Sequence, residues 1–213
     1  MTTSSGSRPI STSRKRSSPS SSPSAARADA PVAARSARAA APDPAPRILG
    51  IDPGSRATGY GVILPEGSRL RYERSGVIAP RANLSFPDRL LAVYDGLSRL
   101  LEELRPDEVA VETAFVRKSA LAALQLGHVR GVVLLAARQS GAAVYEYTAP
   151  EVKMAVVRQG AAAKEQVAFM VRRLLPGVGV IREDEADALA VALCHAHRAA
   201  RRSLETTGPR GAR

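Results

Sequence analysis

The chain has 213 residues, a formal net charge of +11 and 45% hydrophobic residues, but only 4% aromatic residues and no tryptophan. This length allows one or two domains, and the scarcity of aromatic residues means that the core must be aliphatic. The single cysteine, Cys194, excludes an intrachain disulfide and favours a reducing compartment, which predicts a cytoplasmic protein. No run approaches the roughly 18 apolar residues of a membrane span, so we expect no membrane association.

The positive charge is concentrated at the two ends of the chain. Residues 1–46 carry seven Lys/Arg and two Asp/Glu, residues 198–213 carry five and one, and residues 47–197 carry nineteen and seventeen. Residues 1–46 are rich in Ser, Ala, Pro and Arg without apolar periodicity, which predicts a disordered basic extension. We therefore expect a folded domain at 47–197 and a basic tail at 198–213. Basic tails suit a polyanion such as nucleic acid, although an alternative is that they only aid solubility.

Hydrophobic periodicity and turn residues divide the folded region into strands and helices. Strands are predicted at 48–51, 58–64, 69–78, 108–112 and 142–147. Helices are predicted from a cap at Ser85 or Asp88 to about Leu104, and at 118–139, 150–157, 164–175 and 184 to beyond His197. This order predicts an α/β fold, a five-stranded mixed sheet flanked by helices.

Two features of the predicted helices bear on packing. The helix at 118–139 is apolar on more than one side, so we expect part of it to face a second subunit. On the last helix, Cys194 fits a buried small residue, whereas His195 and His197 point apart and are predicted to be surface residues rather than metal ligands.

Two predicted buried strands end in carboxylates. Asp52 follows the strand at 48–51, and Glu112 ends the strand at 108–112. A helix connects these strands, which favours a parallel pair, and adjacent parallel strands place their carboxyl ends at the same edge of a sheet. The two carboxylates would then meet. An alternative is that Asp52 only caps the following turn.

Two further acids, Asp184 and Asp187, are spaced i, i+3 in the first turn of the last predicted helix and face the same side. Acids there also favour the helix dipole, which is the simpler explanation. Asp187, however, lies inside an otherwise apolar run at 186–193, where an unpaired carboxylate is costly. Four gathered carboxylates would have raised pKa values or bind a divalent cation, and an all-oxygen site suits Mg²⁺ or Mn²⁺ rather than zinc. Two such ions would support metal-assisted hydrolysis of nucleic acid.

The segment 48–63 resembles the opening of the RuvC family of Holliday-junction resolvases, and segments 111–115, 126–131 and 184–190 match the same family in order. The resemblance covers about residues 47–197. It implies an RNase H-like fold, a homodimer, and symmetric cutting of two strands of a four-way DNA junction. It also implies dependence on Mg²⁺, with two ions per subunit and Mn²⁺ as a substitute. A partner implied by resemblance alone is the RuvA–RuvB branch-migration complex.

The resemblance also assigns roles to individual residues. The acidic ligands fall on Asp52, Glu112, Asp184 and Asp187, an aromatic wedge at the junction falls on Phe115, and DNA-contacting basic residues fall on Lys118, Arg130, Lys153 and Lys164. Without it, Phe115 could be a core aromatic and the lysines solvated helix residues. Two departures concern strand contacts: Ser119 replaces a frequent Asn, and His128 replaces a common Gln.

Three other functions are considered. A sugar-kinase or actin-like ATPase has a phosphate loop resembling 52–55 and a following Thr, but about 150 folded residues are too few for its two lobes. A non-catalytic DNA-binding protein could use the basic tails alone. Another RNase H-like nuclease would cut RNA–DNA hybrids or flaps.

Overall fold

The computed structural model describes residues 45–113 and 119–207. The described residues form one sheet of five strands in the order β3-β2-β1-β4-β5, in which β1, β4 and β5 are parallel and β2 is antiparallel to both β1 and β3. The strands are β1 (Ile48–Asp52), β2 (Thr58–Glu66), β3 (Arg69–Ile78), β4 (Glu108–Thr113) and β5 (Ala143–Thr148). The helices are α1 (Phe86–Leu104), α2 (Ala120–Gln139), α3 (Ala149–Val157), α4 (Lys164–Leu174) and α5 (Glu183–Thr207).

The predicted mixed sheet is confirmed, including the parallel pair of β1 and β4. Each predicted element is present, with ends that differ by one or two residues in most cases. The largest difference is at the C-terminal end, where α5 continues to Thr207. The first ten residues of the segment predicted as a basic tail are therefore helical.

Local sequence signals set the ends of α1. The Ser85 side chain accepts a hydrogen bond from the Asp88 backbone N–H, and Pro87 lies within the first turn, where its missing N–H needs no partner. At the other end Arg105 adopts a left-handed conformation with φ of 45°, its N–H bonds to the Leu101 carbonyl, and Pro106 follows. A proline cannot continue the helix, so the chain turns into β4.

The two faces of the sheet have separate hydrophobic cores. Alternate residues of a strand point to opposite faces. In β1, Leu49 and Ile51 pack with α1 and α2, whereas Ile48 packs with α3, α4 and α5. Because Gly50 and Asp52 share the parity of Ile48, they lie on the α5 face. The strand therefore directs its terminal carboxylate toward α5.

Glycines allow α5 to lie directly on this face. A Cβ atom at Gly50 would lie 2.2 Å from the Ala188 carbonyl oxygen, and one at Gly59 would lie 2.0 Å from the Asp184 carbonyl oxygen. At Gly61 a Cβ would lie 2.5 Å from Leu189 Cδ2. No side chain fits at these positions, so the helix backbone approaches the backbone of β1 and β2 more closely than any other residue would permit.

The prediction that His195 lies on the surface is wrong. Its side chain is fully buried; Nδ1 is 2.7 Å from the Tyr147 hydroxyl, and Nε2 is 2.8 Å from Glu108 Oε2. The error arose because helical spacing alone does not show how many sides of α5 are covered. Here the sheet, α3 and α4 all pack against it. Cys194 is buried as predicted, and His197 is partly exposed.

Helix α2 has an apolar surface on both sides. Val129, Val133, Ala136 and Ala137 are buried in the core, whereas Leu121, Leu124 and Leu135 are 65%, 60% and 55% exposed. By length and composition α2 alone among the described helices could cross a membrane. Its contacts with α1, β4 and β5 are those of a helix packed on a sheet. The exposed leucines form the part of this helix that the sequence predicts to face a second subunit.

Substitution of Gly50 by Ala should displace α5, because the added methyl group would overlap the Ala188 carbonyl. We expect a loss of about 1–3 kcal/mol in the free energy of unfolding, or more, measured by urea denaturation. Gly179→Ala is the matched control, since a Cβ there meets nothing within 4 Å. Equal stability of the two variants would contradict the close helix–sheet contact.

Candidate active site

Asp52 and Glu112 lie side by side at one edge of the sheet. In the parallel pair of β1 and β4, Gly50 is opposite Ala110 and Ile51 is opposite Val111, so the register continues to place Asp52 beside Glu112. Both side chains share the parity of Gly50 and Ala110 and face α5. The register therefore brings these two carboxylates together at the carboxyl ends of parallel strands, as the sequence predicted.

Helix α5 brings the other two acids to the same edge. Asp52 is opposite Gly59 in the pair of β1 and β2, and the Asp184 backbone rests on Gly59. Asp187 is one turn further along the helix, and its side chain is 20% exposed. All four predicted acidic residues therefore lie at one end of the α5 face, although they are separated by up to 135 positions along the chain.

Burial and neighbouring negative charges raise the pKa values of three of the four acids. Burial raises the pKa of Asp52 to about 7, together with the negative charges of Glu112, Asp187 and Asp184, in that order. The pKa of Glu112 is raised by burial and then by Asp187. The pKa of Asp187 is raised mainly by burial, with Glu183 and Asp184 adding to it. These groups favour a proton or another cation between them.

Two of the predicted basic residues lie beside the acids. Lys164, the first residue of α4, donates from Nζ to Asp187 Oδ2 at 3.2 Å and also to Glu183. The pKa of its ammonium is raised, chiefly by the hydrogen bond to Glu183. Burial and Asp187 raise the pKa of Glu112, whereas the positive charges of Lys164 and Lys153 act to lower it. Both lysines therefore contribute positive potential at the end of the sheet where Asp52, Glu112, Asp184 and Asp187 lie. We call this end the acidic edge.

The chemistry of the donor set fits a hard divalent cation. The ligand atoms offered by Asp52, Glu112, Asp184 and Asp187 are all carboxylate oxygens, which suit Mg²⁺ or Mn²⁺. Within residues 45–113 and 119–207, no group of three or more His, Cys, Asp or Glu side chains is placed to hold an ion as the side chains stand. The ammonium of Lys164 is instead the cation in contact with Asp187. The acids share one edge without converging on one point.

Of the other predicted DNA-contacting residues, Arg130 alone lies within the part of the chain that the structure describes. Arg130 is on α2, on the opposite face of the sheet, and forms an ion pair with Glu146 of β5. Phe115 and Lys118 fall outside the described residues. The departure at Ser119 has a structural explanation: its hydroxyl accepts from the Ala122 N–H and caps α2, as an Asn side chain also could. His128 bonds to the Leu124 carbonyl and contacts the Phe86 ring edge-on.

Sequence reasoning missed two acids that serve this site. Glu183 is a partner of Lys164, and Glu185 bonds to Ser75 of β3. The spacing of Glu185, three residues after Arg182, is typical of a helix cap and was a usable signal. The partner in β3 had no such signal, because it depends on where α5 crosses the sheet.

Asp52→Asn should stabilise the protein at neutral and alkaline pH in the presence of a chelator. The folded-state pKa of Asp52 is about 7 against 3.8 for an unperturbed Asp, so the folded state binds the proton more tightly and stability falls as pH rises from about 4 to 7. This difference in pKa corresponds to roughly 4 kcal/mol above pH 7. Asn lacks this charge. Urea unfolding should show a variant advantage at pH 8 that shrinks toward pH 4; an advantage independent of pH would contradict the electrostatic origin.

Comparison with known proteins identifies the family. Residues 48–195 match the family model described as crossover junction endodeoxyribonuclease RuvC. A protein of that name from Acidiphilium cryptum is 54% identical over 151 residues, 71% of this chain and 90% of the relative. One from Syntrophotalea carbinolica is 55% identical over 151 residues, 71% and 94% of the two chains.

Solved structures agree with this match. The structure of Thermus thermophilus RuvC in complex with Holliday junction substrate has a TM-score of 0.67 and 36% identity, over 72% of this chain and 94% of that one. The yeast mitochondrial Holliday junction resolvase Ydc2, at 17% identity and a TM-score of 0.53 over 71% and 78% of the two chains, shares the fold. With the family model matched over residues 48–195 and relatives more than 50% identical over 151 residues, the chain belongs to the RuvC family of crossover junction endodeoxyribonucleases.

Proposed function

We propose that this protein resolves four-way DNA junctions by metal-dependent hydrolysis of two symmetrically placed phosphodiester bonds, in recombination and repair. The observation that carries the proposal is the meeting of Asp52, Glu112, Asp184 and Asp187 at one sheet edge in a chain of this family. A site that raises the pKa of Asp52 to about 7 is poorly stable without a cation.

The four carboxylates are the proposed metal ligands, with Mg²⁺ as the natural ion, Mn²⁺ as a substitute, and two ions per subunit. When bound, such ions supply Lewis-acid activation of a water and stabilisation of the leaving oxygen. Asp52 and Glu112 are held by the rigid centre of the sheet, and Asp184 and Asp187 by the first turn of α5. Closing the four groups on an ion requires side-chain rotation and release of Asp187 by Lys164.

Lys164 and Lys153 are the proposed contacts to the DNA phosphates near the cut. Lys164 is 60% exposed at the mouth of the acidic edge, so its ammonium can turn from Asp187 to a phosphate while Glu183 keeps it close. Lys153 lies on the same side of the sheet, near Glu112. Positive charge at this point offsets the repulsion between the acids and the DNA backbone.

The other DNA contacts are proposed from sequence similarity. Phe115 follows Glu112 by three residues and would stack against bases at the junction centre, and Lys118 would contact phosphate nearby. Arg130 would contact DNA from the opposite face of the sheet, after release from its ion pair with Glu146.

We also propose a homodimer that uses the exposed side of α2. Leu121, Leu124 and Leu135 form an apolar stripe on this side, and Gly127 and Gly131, at which a Cβ would meet nothing within 4 Å, lie along it. Small residues between large ones allow two helices to approach closely. A two-fold dimer would present two acidic edges to a junction that itself has two-fold symmetry.

We further propose a cytoplasmic setting for this protein. A single buried cysteine and a DNA substrate favour the cytoplasm. The RuvA–RuvB branch-migration complex is the proposed protein partner. Residues 1–46 are proposed to add non-specific affinity for DNA through their excess of basic residues, with 47–197 as the nuclease domain.

The alternative of a binding protein without catalysis is disfavoured by the acidic edge itself. A surface that only binds DNA gains nothing from four acids that face the polyanion. An RNase H-like nuclease that cuts RNA–DNA hybrids or flaps would use the same acids. Only a comparison of substrates distinguishes such an enzyme from a junction resolvase.

Asp187→Asn should reduce cleavage of a synthetic four-way junction by about 100-fold or more, because one metal ligand and its charge are lost. Wild-type protein with Mg²⁺ should make paired nicks, and EDTA should abolish them. Junction, duplex, flap and RNA–DNA hybrid substrates are compared on sequencing gels. Glu165→Gln, an exposed acid one residue from Lys164, is the control and should cut normally. Unchanged cutting by Asp187→Asn would refute the metal assignment.

Leu124→Asp should convert the dimer to a monomer, because it places a charge in the centre of the proposed apolar interface. Light scattering coupled to size-exclusion chromatography measures the mass directly. Phe169→Asp on α4 is the matched control: Phe169 is 57% exposed, close to the 60% of Leu124, but lies on the other side of the sheet. If both variants remain dimeric, the interface lies elsewhere.

A further inference from the structure

We propose that Glu185 and Ser75 form a positioning pair that holds the first turn of α5 against the sheet and thereby sets the affinity of the acidic edge for divalent metal. The inference rests on the proposed metal site and assigns a role to two residues outside it. Neither side chain is a proposed ligand, and their contact links α5 to the edge strand β3.

Each oxygen of the Glu185 carboxylate accepts a hydrogen bond from a residue other than the four acids. One oxygen, Oε1, accepts a hydrogen bond of 2.9 Å from the Ser75 hydroxyl, and the other, Oε2, accepts one of 2.8 Å from the Arg182 backbone N–H. The first bond ties the helix to β3, and the second closes the helix N-terminus. The Tyr72 hydroxyl, 3.0 Å from Ser75 Oγ, completes the chain of hydrogen bonds by donating to it.

The location of this pair decides what it controls. Ser75 is opposite Gly61 in the pair of β2 and β3, and Gly61 is where Leu189 packs on the sheet. Glu185 lies between Asp184 and Asp187 in sequence. The contact with β3 therefore holds in place the helix turn that carries both acids. The glycines of β1 and β2 set the distance between this turn and the sheet.

The first turn of α5 needs such a tie because its own charges push it outward. Asp184 and Asp187 lie at the same end of the sheet as Asp52, and like charges gathered there repel one another. An untied turn would relieve this repulsion by moving away from β1. The ligand oxygens would then be further apart and would have to be drawn together when a metal binds.

Two simpler roles for Glu185 predict different results. If Glu185 only adds negative charge, Ser75 is irrelevant to metal binding. If Glu185 only caps the helix, its loss lowers stability without changing metal affinity in the folded protein. A positioning pair requires that either partner's removal weakens metal binding, even though Ser75 carries no charge.

The test measures Mn²⁺ binding to the full-length, DNA-free protein by calorimetry, with cleavage as a second readout. Ser75→Ala and Glu185→Ala should each weaken Mn²⁺ binding by roughly tenfold, the scale found when supporting contacts of metal ligands are removed. The double variant should be no weaker than the worse single variant, since one interaction is lost in all three. Ser75→Thr and Glu185→Gln, which keep a donor or an acceptor for the bond, should recover much of the affinity.

The control is Glu205→Ala, which removes an exposed acid near the other end of the same helix and should bind Mn²⁺ like the wild type. Wild-type affinity in Ser75→Ala, or additive losses in the double variant, would overturn the inference while leaving the metal site intact. Absence of Mn²⁺ binding by the wild type itself would overturn the proposed function and this inference with it. Folding of each variant is checked by urea denaturation. If Ser75→Ala does not fold, the inference is tested by Glu185→Ala against Glu185→Gln, which both lack the charge and differ in the acceptor; equal Mn²⁺ affinity of these two would overturn it.

Discussion

The close contact between α5 and the glycines of β1 and β2 is the constraint on which the site depends. A helix that packs on side chains lies about a side-chain length above the sheet, whereas here the Asp184 carbonyl occupies the space that a Cβ of Gly59 would need. Because Gly59 is the direct partner of Asp52, the same contact that packs the helix brings two acids to a third. Glu112 follows from the parallel register of β1 and β4, which requires no special residue.

The arrangement that gathers the acids for the proposed function lowers the stability of the fold. Burial at this edge, together with neighbouring negative charges, raises the pKa values of Asp52, Glu112 and Asp187 and weakens the fold at neutral pH when no cation is bound. The chain offsets part of the repulsion with the ammonium of Lys164 and confines the helix turn through Ser75 and Glu185. A cation bound among the acids would relieve the rest, so the repulsion would favour the proposed metal binding.

The two faces of the sheet divide the work of the protein. The α5 face carries the acids, Lys153 and Lys164, whereas the α1 and α2 face is an aliphatic core whose outer helix exposes a leucine stripe. The proposed chemistry and the proposed self-association would therefore use opposite sides of one sheet. Arg130 shows the consequence of this division, since its position on α2 pairs it with Glu146 rather than with the acidic site.

By itself, the sequence determined the order and type of the elements, the parallel pairing of β1 with β4, and the identity of the four acids. These follow from short-range periodicity, from the connection through a helix, and from motifs in matching order. Only the tertiary structure decided the depth at which α5 lies, the burial of His195 between Tyr147 and Glu108, and the partnership of Ser75 with Glu185. Local patterns fix which face of an element is apolar, but which residues meet across elements depends on the crossing point of helix and sheet, and that is set by many contacts distant in the chain.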